Sequence, residues 1–317
     1  MCTAITYHGH SFYFGRTLDH ERSFGEEVVL TPRRFSLPFR QSRELTRHHA
    51  ILGMAHVAGG YPLYYDACNE RGLCMAGLNF TGFARYGGAG RDRIAPFELI
   101  PWILGQCSCV DQARTLLAQL QLTDTDFSDA LPAARLHWLL ADADACITIE
   151  SVEGGLRIHD NPLGVLTNDP PFDDQLLQLT NFMHLSPRPP HNHFSDLLNL
   201  KPYSRGMGAM GLPGDLSSQS RFVRAAFTKL NAARGGVGQF FRILDTVQQT
   251  PGCNRLEDGS MEHTLYTSCC DAERGVYHYT TCSRRRITAV DMHRENLDGK
   301  ALIRFPLVTR EDILLQN

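Results

Sequence analysis

Met1-Cys2-Thr3-Ala4-Ile5-Thr6-Tyr7, the turn His8-Gly9-His10, then Ser11-Phe12-Tyr13-Phe14-Gly15-Arg16-Thr17-Leu18-Asp19: this opening run decides how the rest of the chain is read. Residues 3–7 alternate, and Ser11-Phe12-Tyr13-Phe14 continue as a second strand beyond a Gly-bearing turn, the pattern of a β-hairpin. A hairpin brings its two ends together, so Cys2 is expected beside the segment from Arg16 to Asp19. Cys2 directly follows Met1. A side chain this small permits methionine aminopeptidase to remove Met1. The mature chain then begins with a thiol and a free α-amine on one residue. A terminal amine has a pKa near ~8 and an unperturbed thiol near ~8.5, so both lie close to working pH. This pairs a nucleophile with its own base, as in the N-terminal threonine arrangement.

Outward from the hairpin, 317 residues give room for a large core, and no linker or repeat divides them, so one domain over 1–317 is expected. A net charge of -3 gives no basic field for nucleic acid. No apolar run approaches the ~18–20 residues of a membrane helix. The N-terminus lacks a charged-then-apolar leader, so a cytoplasmic protein is the expectation. The ten cysteines are read as mostly small buried hydrophobes. Disulfides are not expected in that compartment. Cys68-x5-Cys74, Cys107-Ser108-Cys109 and Cys269-Cys270 do not form the paired Cys-x2-Cys knuckles of a zinc site.

Strands are expected over residues 26–30, 50–55, 73–80, 136–142, 146–152, 164–167, 263–270, 276–282 and 286–291. Residues 31–49 read as a basic, solvated loop. Gly59-Gly60-Tyr61-Pro62-Leu63-Tyr64-Tyr65 reads as a loop able to wall a pocket. Gly87-Gly88-Ala89-Gly90 reads as a flexible link. Helices are expected over residues 96–104, from 108 with Ser108 and Asp111 as a capping box, 219–231 capped by Ser217 and Ser218, and 239–247. Residues 181–215 are His/Pro/Gly-rich and irregular. Strands, a helical block and more strands fit helices packed on sheets, an α+β architecture.

Several motifs then match in order. Met1-Cys2-Thr3 and Phe14-Gly15-Arg16-Thr17-Leu18-Asp19 are followed by Asn69-Glu70-Arg71-Gly72-Leu73 with Ala76-Gly77-Leu78-Asn79-Phe80. Next come Gly164-Val165-Leu166-Thr167-Asn168, Gly211-Leu212-Pro213-Gly214-Asp215, Ser220-Arg221-Phe222 and Glu295-Asn296-Leu297-Asp298-Gly299. Together they resemble the choloylglycine hydrolase family, which groups conjugated bile acid hydrolases (bile salt hydrolases) with penicillin V acylases. The likeness runs from residue 1 to 306.

The resemblance implies an N-terminal nucleophile hydrolase, an αββα sandwich of two stacked antiparallel sheets between helical layers. It implies hydrolysis of the amide of glycine- or taurine-conjugated bile salts, with no metal and no organic cofactor. It implies Cys2 as nucleophile, forming a thioester, with Arg16 favouring its thiolate. Asp19 would hold the α-amine, Asn79 would supply the oxyanion hole, and Asn168 would position the amine or complete that hole. Arg221 would join the charged network around the thiol. Leu18, Tyr65, Phe127 and Leu131 fall where the family lines its acyl pocket. Homotetramers are common in the family. Asn79 and the Glu295–Gly299 segment favour the bile-salt branch; the alternative is an acylase for penicillin V or N-acyl homoserine lactones. The turn at His8-Gly9-His10 is shorter than is usual in the family.

Overall fold

The computed structural model describes residues 1–87 and 92–317, so most of the link expected at Gly87-Gly88-Ala89-Gly90 lies outside the described residues. The chain starts with the expected hairpin, β1 (Cys2–His8) and β2 (Phe12–His20). A meander follows: β3 (Glu27–Thr31), β4 (Ile51–Ala58), β5 (Tyr61–Asn69) and β6 (Cys74–Asn79). Short β7 (Asp92–Ile94) precedes helices α1 (Leu99–Gln106) and α2 (Val110–Leu117), and β8 (Leu120–Leu122) pairs with β7. Then come β9 (Leu136–Ala141), β10 (Cys146–Val152), β11 (Gly155–Asp160), β12 (Val165–Leu166) and α3 (Phe172–Gln178). After a long irregular segment, α4 (Ser218–Asn231) and α5 (Val237–Asp245) lead into β13 (Asn254–Arg255), β14 (Met261–Asp271), β15 (Val276–Thr281), β16 (Thr288–Asp291) and β17 (Ile303–Pro306).

Two antiparallel sheets result. The first runs β12-β1-β2-β14-β15-β16, with β13 on β14; the second runs β11-β10-β9-β6-β5-β4-β3-β17. Helices α4 and α5 cover the first sheet through Phe222, Ala225, Phe240 and Leu244. Helices α1 and α2 cover the second through Leu99, Ile103, Val110 and Leu117. The layers are therefore helix, sheet, sheet, helix. This explains why β1 is buried from Cys2 through Tyr7 instead of on alternate residues. A strand covered on both faces has no solvent side to mark with polar residues.

The central hairpin is held by tight backbone approach. A Cβ on Gly9 would meet the Gly235 carbonyl oxygen at 2.0 Å, so the shortened turn packs directly on the segment before α5. Its register sets Cys2 opposite Leu18 and Ala4 opposite Arg16. Helix α4 starts as expected, with Ser217 Oγ accepting from Ser220 N.

Other expectations are corrected. The stretch from Gly59 to Tyr65 is the turn of the β4–β5 hairpin and the first half of β5, not a loop. Gly59 and Gly60 take φ of +55° and +80°, which lets strands β4 and β5 close with a two-residue turn. The basic 31–49 segment is anchored by buried Leu37 and Phe39, so only part of it is solvated. Helix α2 has no capping box: Asp142 Oδ2 accepts from Val110 N at 2.7 Å, a cap supplied from the turn after β9. Strand β11 adds an edge strand that the sequence pattern does not signal. Cys68 and Cys74 form a disulfide, against the compartment-based expectation, because the β5–β6 turn sets them opposite each other in register. The Cys270 sulfur lies close to both, across the space between the sheets.

Candidate active site

Cys2 heads β1, with Arg16, Leu18 and Asp19 on the adjacent strand, so the hairpin alone assembles half the site. Cys2 is 2 % exposed, and Arg16, Asp19 and Arg221 are fully buried. Charges removed from water this completely need partners, and each charge here has them.

Arg16 Nε donates to Thr17 O at 3.2 Å, and Nη1 donates to Tyr65 O at 3.1 Å and to Gly77 O. Its Nη2 has no partner among the described residues. Burial works against the guanidinium charge, yet Cys2, Tyr266, Asp66 and Asp19 around it raise its pKa above the ordinary arginine value. Beneath it Asp66 is buried between the sheets, accepting from Tyr266 Oη at 2.7 Å, Ser268 Oγ at 2.9 Å and Tyr277 Oη at 2.6 Å. Burial lifts the Asp66 carboxyl above its usual range, with Arg16 opposing.

Asn168 follows β12 and sits where several donors converge. Its Oδ1 accepts from Cys2 N at 2.8 Å and from Arg221 Nη2 at 2.8 Å, and its Nδ2 donates to Asn79 O at 2.8 Å. Those partners fix which end of the amide is oxygen. Arg221, one turn into α4, also donates to Cys2 O, to Thr3 Oγ1 at 2.7 Å and to Leu216 O at 3.0 Å. Burial lowers its pKa, while Asp19 and Cys2 pull the other way. Asp19 accepts from Thr264 Oγ1 at 2.6 Å and from Gln249 Nε2 at 3.1 Å, and lies 4.0 Å from Arg221 Nη1. The backbone nitrogen of Cys2 thus bonds to Asn168 and not to Asp19.

Met1 extends the ladder by one residue. Its ammonium donates to Asp19 O at 2.8 Å and to Glu262, and its carbonyl accepts from Asp19 N at 2.9 Å. Burial lowers the pKa of that ammonium. Beside it opens a cavity of about 280 Å³ lined by His20, Asn79, Asn168, Ser218 and Glu262 among others. Asn79 is exposed at the end of β6, and its side-chain amide makes no hydrogen bond among the described residues.

Two bulges shape the walls. Tyr65 is the extra residue where β5 passes from Tyr64 opposite Ala55 to Asp66 opposite Met54. Leu265 is the extra residue where β14 passes Asp19 and Leu18. Bulges re-aim side chains, and both flank the hairpin that carries Cys2. Leu18 and Tyr65 therefore join the same cluster as Cys2. Phe127 and Leu131 are not brought to it in the same way. Phe127 packs on Tyr61 and Phe97, with ring centroids at 6.0 Å and 5.3 Å, under the Arg40 guanidinium, in the cluster on the helix side of the second sheet. Leu131 O closes the same loop by accepting from Phe127 N. Nothing in the local sequence pattern around Asp66, Gln249, Glu262 and Thr264 marks them as site residues.

Residues 2–305 match the family model for linear amide C–N hydrolases of the choloylglycine hydrolase family. The chain is 52 % identical over 314 residues to a "Bile salt hydrolase/transferase" of Lactiplantibacillus plantarum, covering 97 % of each. It is 33 % identical to the protein of the same name from Clostridium perfringens, covering 95 % of each. A solved conjugated bile acid hydrolase from Clostridium perfringens superposes with a TM-score of 0.92 at 32 % identity, covering all of both chains. A penicillin V acylase from Agrobacterium tumefaciens shares the fold at a TM-score of 0.76 and 19 % identity, covering 97 % of this chain and 92 % of its own.

Proposed function

The chain belongs to the choloylglycine hydrolase family of linear amide C–N hydrolases, and on that basis we propose that it hydrolyses the amide of glycine- or taurine-conjugated bile salts. The observation that carries the mechanism is Cys2 at the head of a buried hairpin, beside an arginine whose Nη2 is uncommitted.

In this reading Met1 is removed first. The methionine is woven into the β1–β2 ladder and its ammonium is held by Glu262, so the cut precedes folding. The freed α-amine keeps Asn168 Oδ1 as acceptor, with Asp19 and Arg221 setting the field around it. Arg16 stabilises the Cys2 thiolate, which attacks the amide carbonyl carbon. The C=O π electrons move to oxygen, and the Asn79 amide with a backbone N–H holds that oxyanion. The protonated α-amine gives its proton to the leaving nitrogen, the C–N bond breaks, and a thioester remains. Water, deprotonated by the same amine, attacks the thioester carbonyl; the C–S bond breaks, the acid is released and the Cys2 thiolate is restored beside the protonated amine. The uncommitted amide of Asn79 supports its role as donor.

Leu18 and Tyr65, in the cluster that holds Cys2, are proposed to begin the acyl wall; the assignment of Phe127 and Leu131 to it rests on the family resemblance alone, since they pack on the helix side of the second sheet. A steroid suits such an apolar wall with few polar groups. We place the enzyme in the cytoplasm, where methionine aminopeptidase acts. Among the described residues, no helix is long and apolar enough to cross a membrane. We take 1–317 as one domain, since a single core cluster joins Cys2 to Phe305. We further propose a homotetramer. Residues 183–203 expose Met183, Phe194, Leu197 and Tyr203 by 81 %, 82 %, 93 % and 83 %, a patch suited to a second copy.

Parallel assays with glycocholate, taurocholate and penicillin V test the substrate: faster turnover of the bile salts is expected, and preferential cleavage of penicillin V contradicts the reading. Light scattering of F194D/L197D tests the assembly; the substitutions are expected to break the tetramer, and a wild-type monomer refutes it.

A further inference from the structure

Behind the two asparagines lies a buried imidazole–carboxylate pair that the chemistry above leaves unused. His137 on β9 and Glu150 on β10 are both fully buried. His137 Nε2 lies 2.9 Å from Thr167 O, and Nδ1 lies 3.0 Å from Glu150 Oε1. A carbonyl can only accept, so Nε2 carries a hydrogen. Nδ1 faces a carboxylate oxygen, so one proton sits between those two atoms and the pair is neutral overall. The Phe80 ring lies flat on the imidazole, 4.3 Å between centroids and 6° from parallel. Glu150 Oε1 also accepts from Phe172 N at 3.0 Å, so it grips the far side of the turn that follows Asn168.

The position of this pair gives it meaning. In the second sheet His137 lies opposite Leu78, and its neighbour Leu136 lies opposite Asn79. Its acceptor, Thr167, is the first residue past β12 of the first sheet and immediately precedes Asn168. Asn79 thus ends a strand of the second sheet while Asn168 lies in the segment that leaves the first, and two hydrogen bonds join sheet to segment at this point: Asn168 Nδ2 to Asn79 O, and His137 Nε2 to Thr167 O. One such bond acts as a hinge. Two, one residue apart, fix both separation and orientation. Gln175 reinforces the same turn, donating to Asn168 O at 2.6 Å and to Pro170 O at 2.7 Å.

We propose that His137, oriented by Glu150, is a positioning residue that holds Asn79 and Asn168 at the spacing the oxyanion and the α-amine require. This rests on the oxyanion role given to Asn79 above. The pair touches neither the thiol nor the substrate, so its loss acts on the transition state and spares the nucleophile.

The test is steady-state kinetics on glycocholate for His137→Leu, His137→Gln and Glu150→Gln, with melting temperature and the rate of Cys2 alkylation by iodoacetamide measured on each. His137→Leu is expected to lower kcat by about tenfold or more, the scale of one buried hydrogen bond left unmade, with KM and alkylation rate unchanged. His137→Gln keeps a donor for Thr167 O and is expected to recover much of the loss. If His137→Leu does not fold, Glu150→Gln carries the test, with a lower kcat at unchanged alkylation rate expected. A folded His137→Leu or Glu150→Gln protein with unchanged kcat overturns the proposal, as does a fall in alkylation rate parallel to kcat. Asn79→Ala is the control. If it retains wild-type kcat, the oxyanion assignment has failed; if it loses kcat while the His137 variants do not, the positioning role alone has failed.

Discussion

Replacing Asn168 by Asp changes one heavy atom in the side chain that joins Cys2, Asn79 and Arg221. The oxygen facing Cys2 N and Arg221 Nη2 is retained, so both of those hydrogen bonds, each 2.8 Å, survive. The group facing Asn79 O, also at 2.8 Å, changes from a donor to an acceptor. Losing that bond costs about 1 kcal/mol, and leaving two acceptors opposed and unsatisfied costs about 1–3 kcal/mol more. Arg221 offsets the added charge but restores no donor. If the loss falls on the transition state, about 2–4 kcal/mol lowers kcat by about 30- to 800-fold. The assay is release of glycine from glycocholate, with a melting curve on the same sample. A kcat within threefold of wild type, in a protein whose carboxyl is ionised, would refute the claim that the Asn79–Asn168 link governs the reaction.

Three further outcomes follow from the same geometry. Because burial raises Asp66 above its unfolded value of 3.8, the folded state binds that proton more tightly. The stability it contributes is complete below that pH and is lost as pH rises through the folded pKa. Chemical denaturation across pH should show this slope in wild type and not in Asp66→Asn; equal slopes contradict it. The Cys68–Cys74 bridge closes a short loop, so Cys68→Ala/Cys74→Ala is expected to lose about 2 kcal/mol in urea unfolding while keeping turnover. No change in unfolding midpoint would count against it. Arg221→Leu leaves acceptors on Cys2, Thr3, Asn168 and Leu216 without their donor, and is expected to abolish soluble expression or lower the melting temperature markedly; Arg221→Lys should recover folding more than activity.

Local features were legible in the sequence where local chemistry decides them. The β1–β2 hairpin is set by its turn and its short loop, and the start of α4 by Ser217 two residues before Gln219. Asn79 and Asn168 could be named through family resemblance, since an Asn at a strand end otherwise reads as turn chemistry. What stayed hidden depends on partners distant in sequence. The bulges at Tyr65 and Leu265 exist because neighbouring strands lose register there, which no single strand records. Asp142 caps α2 from the β9–β10 turn, more than twenty residues further along the chain, which the local Ser108 and Asp111 pattern does not record. Burial on both faces removed the alternation that marks strands, which is why the stretch after Gly60 read as loop. Asp66 and Glu150 look like ordinary acidic residues until two sheets close over them.

Intact mass of the purified, active enzyme, together with iodoacetamide titration of turnover, tests the central claim most directly. The account predicts a chain lighter by one methionine residue, with loss of activity tracking alkylation of Cys2 at one label per chain. Full turnover from a protein that still carries Met1, or that survives complete alkylation of Cys2, would contradict it.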